Sequence, residues 1–136
     1  MLLRSSESKG VCYVETKNLD GETNLKHKIA EKSLNKKFED PNAVHNFRCG
    51  LVCEEANDLI YKFEGTIFFG ADKRKSLSSE NFALRGSSLK NTEYVIGFIV
   101  YAGHQTKIMM NSTGSKFKMS RIERETNKQI IIVFVV

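Results

Sequence analysis

The sequence predicts a mainly β domain of sandwich or jelly-roll type, and three observations support this. Short runs rich in Val, Ile, Phe and Tyr recur along the chain. Clusters of Asn, Asp, Gly and Ser separate these runs and have the composition of turns. Of the 136 residues, 40% are hydrophobic and 27% are charged, which is the balance of a folded domain rather than a disordered chain. A single domain accounts for this length.

The first predicted elements are a strand and an acidic turn. Met1–Arg4 has the composition of a strand end and is followed by a polar turn, and Val11–Thr16 is a β-rich run. Lys17–Thr23 has loop composition, with Asn, Asp and Gly close together. Gly21 can supply a positive φ at no steric cost, so we expect the sharpest bend there.

A short amphipathic helix is predicted over Asn24–Lys37. Three apolar residues recur there at near-helical spacing among lysines, namely Leu25, Ile29 and Leu34. Thr23 or Asn24 is the expected N-cap, since both side chains can accept a hydrogen bond from the first turn.

Further strands are predicted in the second half of the chain. Phe47–Glu54 and Ile60–Phe69 are strand candidates, and the turn-forming segment Glu55–Asp58 between them predicts a hairpin. The polar segment Asp72–Glu80 is predicted to be a loop. Glu93–Ala102 is rich in Val, Ile, Phe and Tyr and is predicted to be a long strand.

The C-terminal segment differs in character from the rest. Five basic residues come in quick succession before an unbroken apolar run, Ile130–Val136; they are Lys116, Lys118, Arg121, Arg124 and Lys128. A basic stretch directly before an apolar run is typical of a cytosolic segment entering a membrane. The run is shorter than the roughly 20 residues that a spanning helix needs, so it is either the beginning of such a helix or a buried terminal strand.

Charge and cysteine content narrow the functional classes. The net charge of +5 is compatible with a nucleic-acid surface or a membrane-facing surface and does not choose between them. The three cysteines lack paired spacing and no secretory signal precedes them, which favours a reducing compartment. Cys49 and Cys53 with His45 offer no obvious fourth ligand, so we expect them to pack as small apolar residues in a strand, and Cys12 to lie in the core.

The acidic turn is the best candidate for chemistry. Asp20, Gly21, Glu22 and Thr23 place two carboxylates and a hydroxyl around a glycine. Such a turn can present a carboxylate to a partner, although most acidic turns containing glycine are simply solvated. The turn alone does not decide between these two interpretations.

The surrounding sequence resembles the actuator domain of type IV P-type ATPases, the phospholipid flippases. The segment from Gly10 to Lys26 is similar to their signature, which includes the Asp-Gly-Glu-Thr loop. Three later segments resemble the family in the same order, and they are 63–66, 80–93 and 102–112. The cation-pumping P-type ATPases carry Thr-Gly-Glu-Ser at the equivalent place, so this loop indicates the lipid-transporting branch.

This resemblance implies a function for the loop. The pump forms an aspartyl-phosphate on a separate domain, and the actuator brings its acidic loop to that phosphate so that it is hydrolysed. Glu22 is then the carboxylate that takes a proton from the attacking water. Thr23 and Asp20 shape the loop or help to hold the water, and Gly21 lets the backbone approach the anionic centre.

The resemblance also implies an architecture and partners. Residues 1–117 are a partial, distorted jelly-roll actuator domain with a short helix after the acidic loop, and 118–136 are a basic linker and the start of a transmembrane helix. The domain lies on the cytosolic side of an integral membrane protein. Its partners are the phosphorylation and nucleotide-binding domains of the same pump, a phospholipid carried by membrane helices, and in many members an accessory subunit. ATP and Mg²⁺ act on the other domains, with no cofactor expected in this segment, which is inactive alone.

The alternative is a small basic β-barrel that binds single-stranded nucleic acid. That class needs exposed aromatic residues interleaved with basic ones. Four aromatic side chains lie among apolar neighbours and are expected in the core instead, namely Phe63, Phe68, Phe98 and Tyr101. The flippase interpretation therefore leads, with no nucleic-acid partner. Neither the transported phospholipid nor the membrane follows from these residues.

Overall fold

The structure, a computed structural model, describes residues 1–71 and 73–112 and the backbone of 129–134. Within these ranges nine β-strands form three antiparallel sheets, joined by short helical segments. The prediction of a mainly β fold is confirmed. The basic stretch from Lys116 to Lys128 lies outside the described residues, so a domain boundary at residue 117 stays a prediction.

Two small sheets hold the N-terminal strands. The two-stranded sheet pairs β1 with β8, and the three-stranded sheet has the order β3-β2-β7. Their strands are β1 (Leu2–Ser5), β2 (Val11–Glu15), β3 (Lys26–Ile29), β7 (Ser88–Lys90) and β8 (Val95–Gly97). Strand β2 confirms the predicted β-rich run. Its alternating pattern buries Cys12 and Val14 on one face, which is the period of a half-buried strand.

The largest sheet has the order β6-β5-β4-β9. Its strands are β4 (Arg48–Cys53), β5 (Gly65–Phe68), β6 (Arg74–Leu77) and β9 (Gln129–Phe134). Strands β4 and β5 pair antiparallel with Leu51 opposite Ile67, so the predicted pairing of the two candidate segments is confirmed. Strand β5 begins only at Gly65, however, and residues 54–64 form a long connection that reaches the acidic loop.

The predicted helix over Asn24–Lys37 is wrong in its first half. Residues Lys26–Ile29 form β3, because their backbone pairs with β2 in the register Val14 to Lys26. Only Lys32–Lys37 is helical (α2), and its N-cap is Glu31 rather than Thr23 or Asn24. The Glu31 carboxylate accepts hydrogen bonds from the backbone N–H groups of Ser33 and Leu34 at 2.9 and 3.1 Å. The helix therefore follows a strand and not the acidic loop itself.

Three further predictions need correction. Asp72–Glu80 is not a loop throughout, since β6 lies within it as an edge strand whose polar side chains are mostly exposed. Glu93–Ala102 is not one long strand, because only β8 pairs there. Ile99, just beyond β8, is 80% exposed. The predicted loop Lys17–Thr23 is also not wholly irregular, since Lys17–Asp20 forms a single helical turn (α1).

The C-terminal apolar run is a strand where the structure describes it. Gln129–Phe134 pairs antiparallel with β4, with Arg48 opposite Phe134. The expected start of a membrane helix is therefore not observed, since this segment, with β-branched residues at Ile130–Val133, satisfies its backbone groups by sheet pairing. Among the described residues, no helix combines the length and the apolar character needed to cross a membrane.

The main core gathers side chains from the largest sheet, from β1 and from α2. Phe38 and Phe47 are at most 2% exposed and meet edge to face with ring centroids 4.9 Å apart. Leu34 from α2 and Leu51 from β4 are fully buried in the same cluster. All three cysteines are buried thiols in strands, as predicted. This core fixes α2 and the large sheet, and hence the connection 54–64 that the sheet carries.

Candidate functional site at the acidic loop

The acidic loop begins where α1 ends. Gly21 follows α1 in the left-handed conformation with φ 76°, and its N–H donates to the carbonyl of Lys17 at 2.9 Å. This is the usual way to end a helical turn, and glycine adopts it without strain. The predicted positive φ at Gly21 is confirmed. A Cβ at this position would have no neighbour within 4 Å, so the outer side of the bend is open.

The Asp20 carboxylate faces the protein and is held there by three donors. The Thr16 hydroxyl donates to both of its oxygens, at 3.0 and 3.1 Å. The backbone N–H of Glu22 donates to Oδ1 at 2.9 Å, and the Tyr61 hydroxyl donates to Oδ2 at 2.9 Å. Only 8% of the Asp20 side chain is exposed. Asp20 therefore supports the loop and is not presented to a partner.

These contacts also set the protonation states of Asp20 and Tyr61. The hydrogen bond from the Glu22 N–H, with smaller effects from Tyr61, Thr16 and the Lys26 charge, holds the pKa of Asp20 below its usual value. Its partial desolvation opposes this and is outweighed. The hydrogen bond to Asp20 raises the pKa of Tyr61, so the phenol keeps its proton and stays a donor. Asp20 thus remains an ionised acceptor at neutral pH.

Glu22 has the opposite orientation. Its side chain is 48% exposed, and one carboxylate oxygen, Oε2, accepts a hydrogen bond from Lys26 Nζ at 2.5 Å. No described residue donates to the other oxygen, Oε1. The backbone N–H of Glu22 donates to the Asp20 carboxylate, so the backbone that carries this exposed side chain is held in place. Gly21 and Thr23 on either side of it are exposed as well.

Lys26 connects the loop to the sheet. It is the first residue of β3, and its ammonium lies 3.8 Å from Asp20 Oδ2 as well as bound to Glu22. The same ammonium lies 5.2 Å from the centroid of the Tyr61 ring, within cation-π range. The hydrogen bond to Glu22 raises the pKa of Lys26, so Lys26 stays protonated at neutral pH.

Tyr61 reaches the loop because the connection 54–64 is itself braced. Lys107 Nζ donates to Asn57 Oδ1 at 2.7 Å, and Asn57 donates to the Glu55 carbonyl at 2.9 Å. The backbone N–H of Glu64 donates to Glu54 at 3.0 Å. Lys107 is only 5% exposed, and burial lowers its pKa. It lies on α3 (Lys107–Ser112), which thereby helps to hold Tyr61 in place.

A small cavity of about 70 Å³ lies behind the acidic loop. Asp20, Lys26 and Lys28 line it, together with Ser87, whose hydroxyl is buried and has no hydrogen-bond partner among the described residues. Lys28 donates to the Ser79 carbonyl at 2.8 Å, and burial lowers its pKa. The walls are mixed, with Leu19, Ile60 and Leu84 beside the polar groups, and space of this size can hold ordered water but not a larger ligand.

The structure thus separates the four predicted site residues into two groups. Gly21, Glu22 and Thr23 are exposed at the bend, whereas Asp20 is tied to the body. Sequence reasoning missed the supporting residues Thr16 and Tyr61. Thr16 lies four residues before Asp20, which is the spacing of one helical turn and is a readable signal. Tyr61 lies 41 residues away from Asp20 and gives no local signal.

Comparison with known proteins identifies the family. No protein-family model matches the chain. It is 40% identical over 136 residues to phospholipid-transporting ATPase DRS2 of Saccharomyces cerevisiae, covering 100% of this chain and 10% of that protein. It is 38% identical over 131 residues to phospholipid-transporting ATPase VA of Homo sapiens, covering 96% of this chain and 9% of that protein. Phospholipid-transporting ATPase 10 of Arabidopsis thaliana is 44% identical over 134 residues, and the match covers 98% of this chain and 11% of that protein.

These fungal, human and plant relatives are all phospholipid-transporting ATPases, and each match extends over nearly the whole of this chain. The sequence is thus that of a segment of a P-type ATPase. It belongs to the type IV P-type ATPases, the phospholipid-transporting family. The chain spans about a tenth of the length of the curated relatives it matches.

Proposed function

We propose that this chain is the actuator segment of an ATP-driven phospholipid translocase and that Glu22 activates the water that hydrolyses its aspartyl-phosphate. The observation that carries the proposal is the difference between the two acidic side chains of the loop. Asp20 is bound by three donors and 8% exposed, while Glu22 is 48% exposed. A group that must reach a phosphate on another domain has to be displayed in this way.

The chemistry follows from the position of Glu22. A water lying in line with the phosphorus gives a proton to the Glu22 carboxylate as its oxygen attacks. The bond between phosphorus and the aspartyl oxygen breaks, so phosphate leaves and the aspartate is regenerated. The oxygen Oε1 is suited to take the proton, because Oε2 is already bound to Lys26. Thr23 lies next to Glu22 and is exposed, where its hydroxyl can orient the same water.

Asp20 and Gly21 have supporting roles in this proposal. Asp20 holds the Glu22 backbone N–H, which fixes the direction of the following side chain. Gly21 has no side chain on the open outer side of the bend, so the backbone can come close to a bulky anionic centre. Close approach matters, because a displacement of about 1 Å in a reacting group costs up to ~100-fold in rate.

The rest of the pump supplies the remaining parts of the reaction. ATP and Mg²⁺ act on the phosphorylation and nucleotide-binding domains, and membrane helices carry the phospholipid. The segment lies on the cytosolic side of a membrane protein, and an accessory subunit accompanies many members of the family. This follows from the family resemblance, and the segment by itself neither hydrolyses ATP nor moves lipid.

A nucleic-acid binding module is the weaker alternative. Phe63 and Phe98 are 4% and 9% exposed, and Phe68 and Tyr101 are half-buried. These four side chains therefore provide no open stacking platform of the kind that single-stranded nucleic acid requires. No observation on the described residues favours this function over the translocase.

The test is Glu22→Gln in the full-length pump that carries this segment. We expect phosphoenzyme to form from ATP as before and then to persist, because the amide cannot take the proton. Acid-quenched ³²P-phosphoenzyme after a chase with unlabelled ATP measures this. The matched control is Glu39→Gln, the same change at an exposed residue after α2. Rapid loss of phosphoenzyme in Glu22→Gln contradicts the assignment.

A further inference from the structure

Two separate connections fix the Glu22 side chain in this structure. Its backbone is held through Asp20, and its carboxylate is held by Lys26 on the neighbouring strand. We propose that Lys26 is a positioning residue for dephosphorylation, which holds Glu22 by one oxygen and offsets the negative charge of the loop as it meets the phosphate. This inference rests on the proposed function of Glu22.

Lys26 is well placed to act as a fixed support. It begins β3, and its backbone lies opposite Val14 in the sheet. Its ammonium is bound to Glu22 at 2.5 Å, faces Asp20 at 3.8 Å and lies 5.2 Å from the Tyr61 ring centroid. The side chain is 29% exposed, which is less than a solvated lysine shows. Three groups on two separate chain segments therefore limit its position.

Holding one carboxylate oxygen has a geometric consequence. An exposed glutamate samples several rotamers, and ordering such a long side chain costs conformational entropy. The Lys26 contact orders it before the domains meet, and it occupies Oε2. Oε1 is then the oxygen available to a water, at a defined place relative to the bend. This is preorganisation of a reacting group by a neighbouring one.

The charge of Lys26 has an electrostatic consequence. Asp20 and Glu22 bring two negative charges toward a phosphoryl group that is itself negative. Like charges repel most strongly where water is excluded, as it is between docked domains. Lys26 lowers the net charge of this trio from two negative charges to one. Without it, the loop approaches the phosphate against greater repulsion.

Lys26 is not required for the fold on these contacts. Exposed ion pairs contribute little to folding stability, and β3 pairs through its backbone. The loss of Lys26 should therefore slow dephosphorylation and leave the formation of phosphoenzyme unchanged. A residue with only a structural role would impair both steps.

The experiment compares Lys26→Met and Lys26→Arg in the full-length pump. We expect Lys26→Met to slow the decay of phosphoenzyme by ~10–100-fold, with its formation from ATP at the normal rate. Lys26→Arg keeps the charge and the donor and should recover most of the decay rate. Lys36→Met, on the exposed side of α2, is the control and should decay normally.

A double-mutant cycle decides whether Lys26 acts through Glu22. In a Glu22→Gln background, Lys26→Met should slow the decay by at least ~5-fold less than it does alone, because the group it positions is gone and only the Asp20 charge is left unbalanced. Normal decay in the single Lys26→Met variant overturns the inference, and so does a full additive loss in the double variant. Normal decay in Glu22→Gln alone defeats the proposed function and the inference with it. Slow decay in Glu22→Gln with normal decay in Lys26→Met defeats the inference alone.

Discussion

Replacing Gly21 by alanine tests the geometry of the acidic bend directly. Gly21 has φ 76° and ψ −1°, and a Cβ there would meet no atom within 4 Å. The cost is therefore conformational and not steric, and a non-glycine residue in the left-handed region costs about 1–2 kcal/mol. Alanine also removes freedom from the unfolded chain, which returns about 0.4–1 kcal/mol.

The net expectation for Gly21→Ala is a loss of about 1 kcal/mol, or a fall in Tm of about 3–5 °C for a domain of this size. Thermal unfolding of the 136-residue chain, followed by circular dichroism, measures it. The sign is the decisive result, because alanine at a position with negative φ would stabilise the chain. An unchanged or higher Tm would show that Gly21 does not hold this conformation.

Three comparison variants separate the backbone cost from other effects. Gly103 also has a positive φ, of 59°, and open space around it, so Gly103→Ala should lower Tm by a similar amount far from the acidic bend in sequence. Gly86 has φ 95°, and its added Cβ would lie 2.8 Å from Ile108 Cδ1, so Gly86→Ala should cost more than either. Gly21→Asn should cost less than Gly21→Ala, since asparagine tolerates the left-handed region.

Two further predictions concern the core and the buried thiols. Leu51→Ala should cost about 2–5 kcal/mol in urea unfolding, because Leu51 is fully buried, whereas Val52→Ala at a 41% exposed position should cost under about 1 kcal/mol. The three cysteine thiols are buried, and burial raises their pKa values. They should therefore react with a thiol reagent only after denaturation. Fast labelling of the native chain would contradict their placement.

Local sequence patterns predicted the elements that neighbouring residues in the chain specify. The run Val11–Thr16 alternates between faces, and the structure has β2 at Val11–Glu15. The pairing of β4 with β5 followed from two apolar segments separated by turn residues. The predicted helix over Asn24–Lys37 failed because its apolar spacing came from two elements in succession. Lys26–Ile29 pairs with β2, and a non-local backbone pairing of that kind overrides local spacing.

The sequence by itself determined the acidic Asp-Gly-Glu-Thr bend, its glycine and the family to which the chain belongs. Only the tertiary structure decided which carboxylate is held and which is displayed. The reason is that a carboxylate turns toward its donors, and a decisive donor to Asp20 is the hydroxyl of Tyr61, which lies 41 residues away in the chain. Its position depends on the large sheet and on Lys107, neither of which is encoded near the bend.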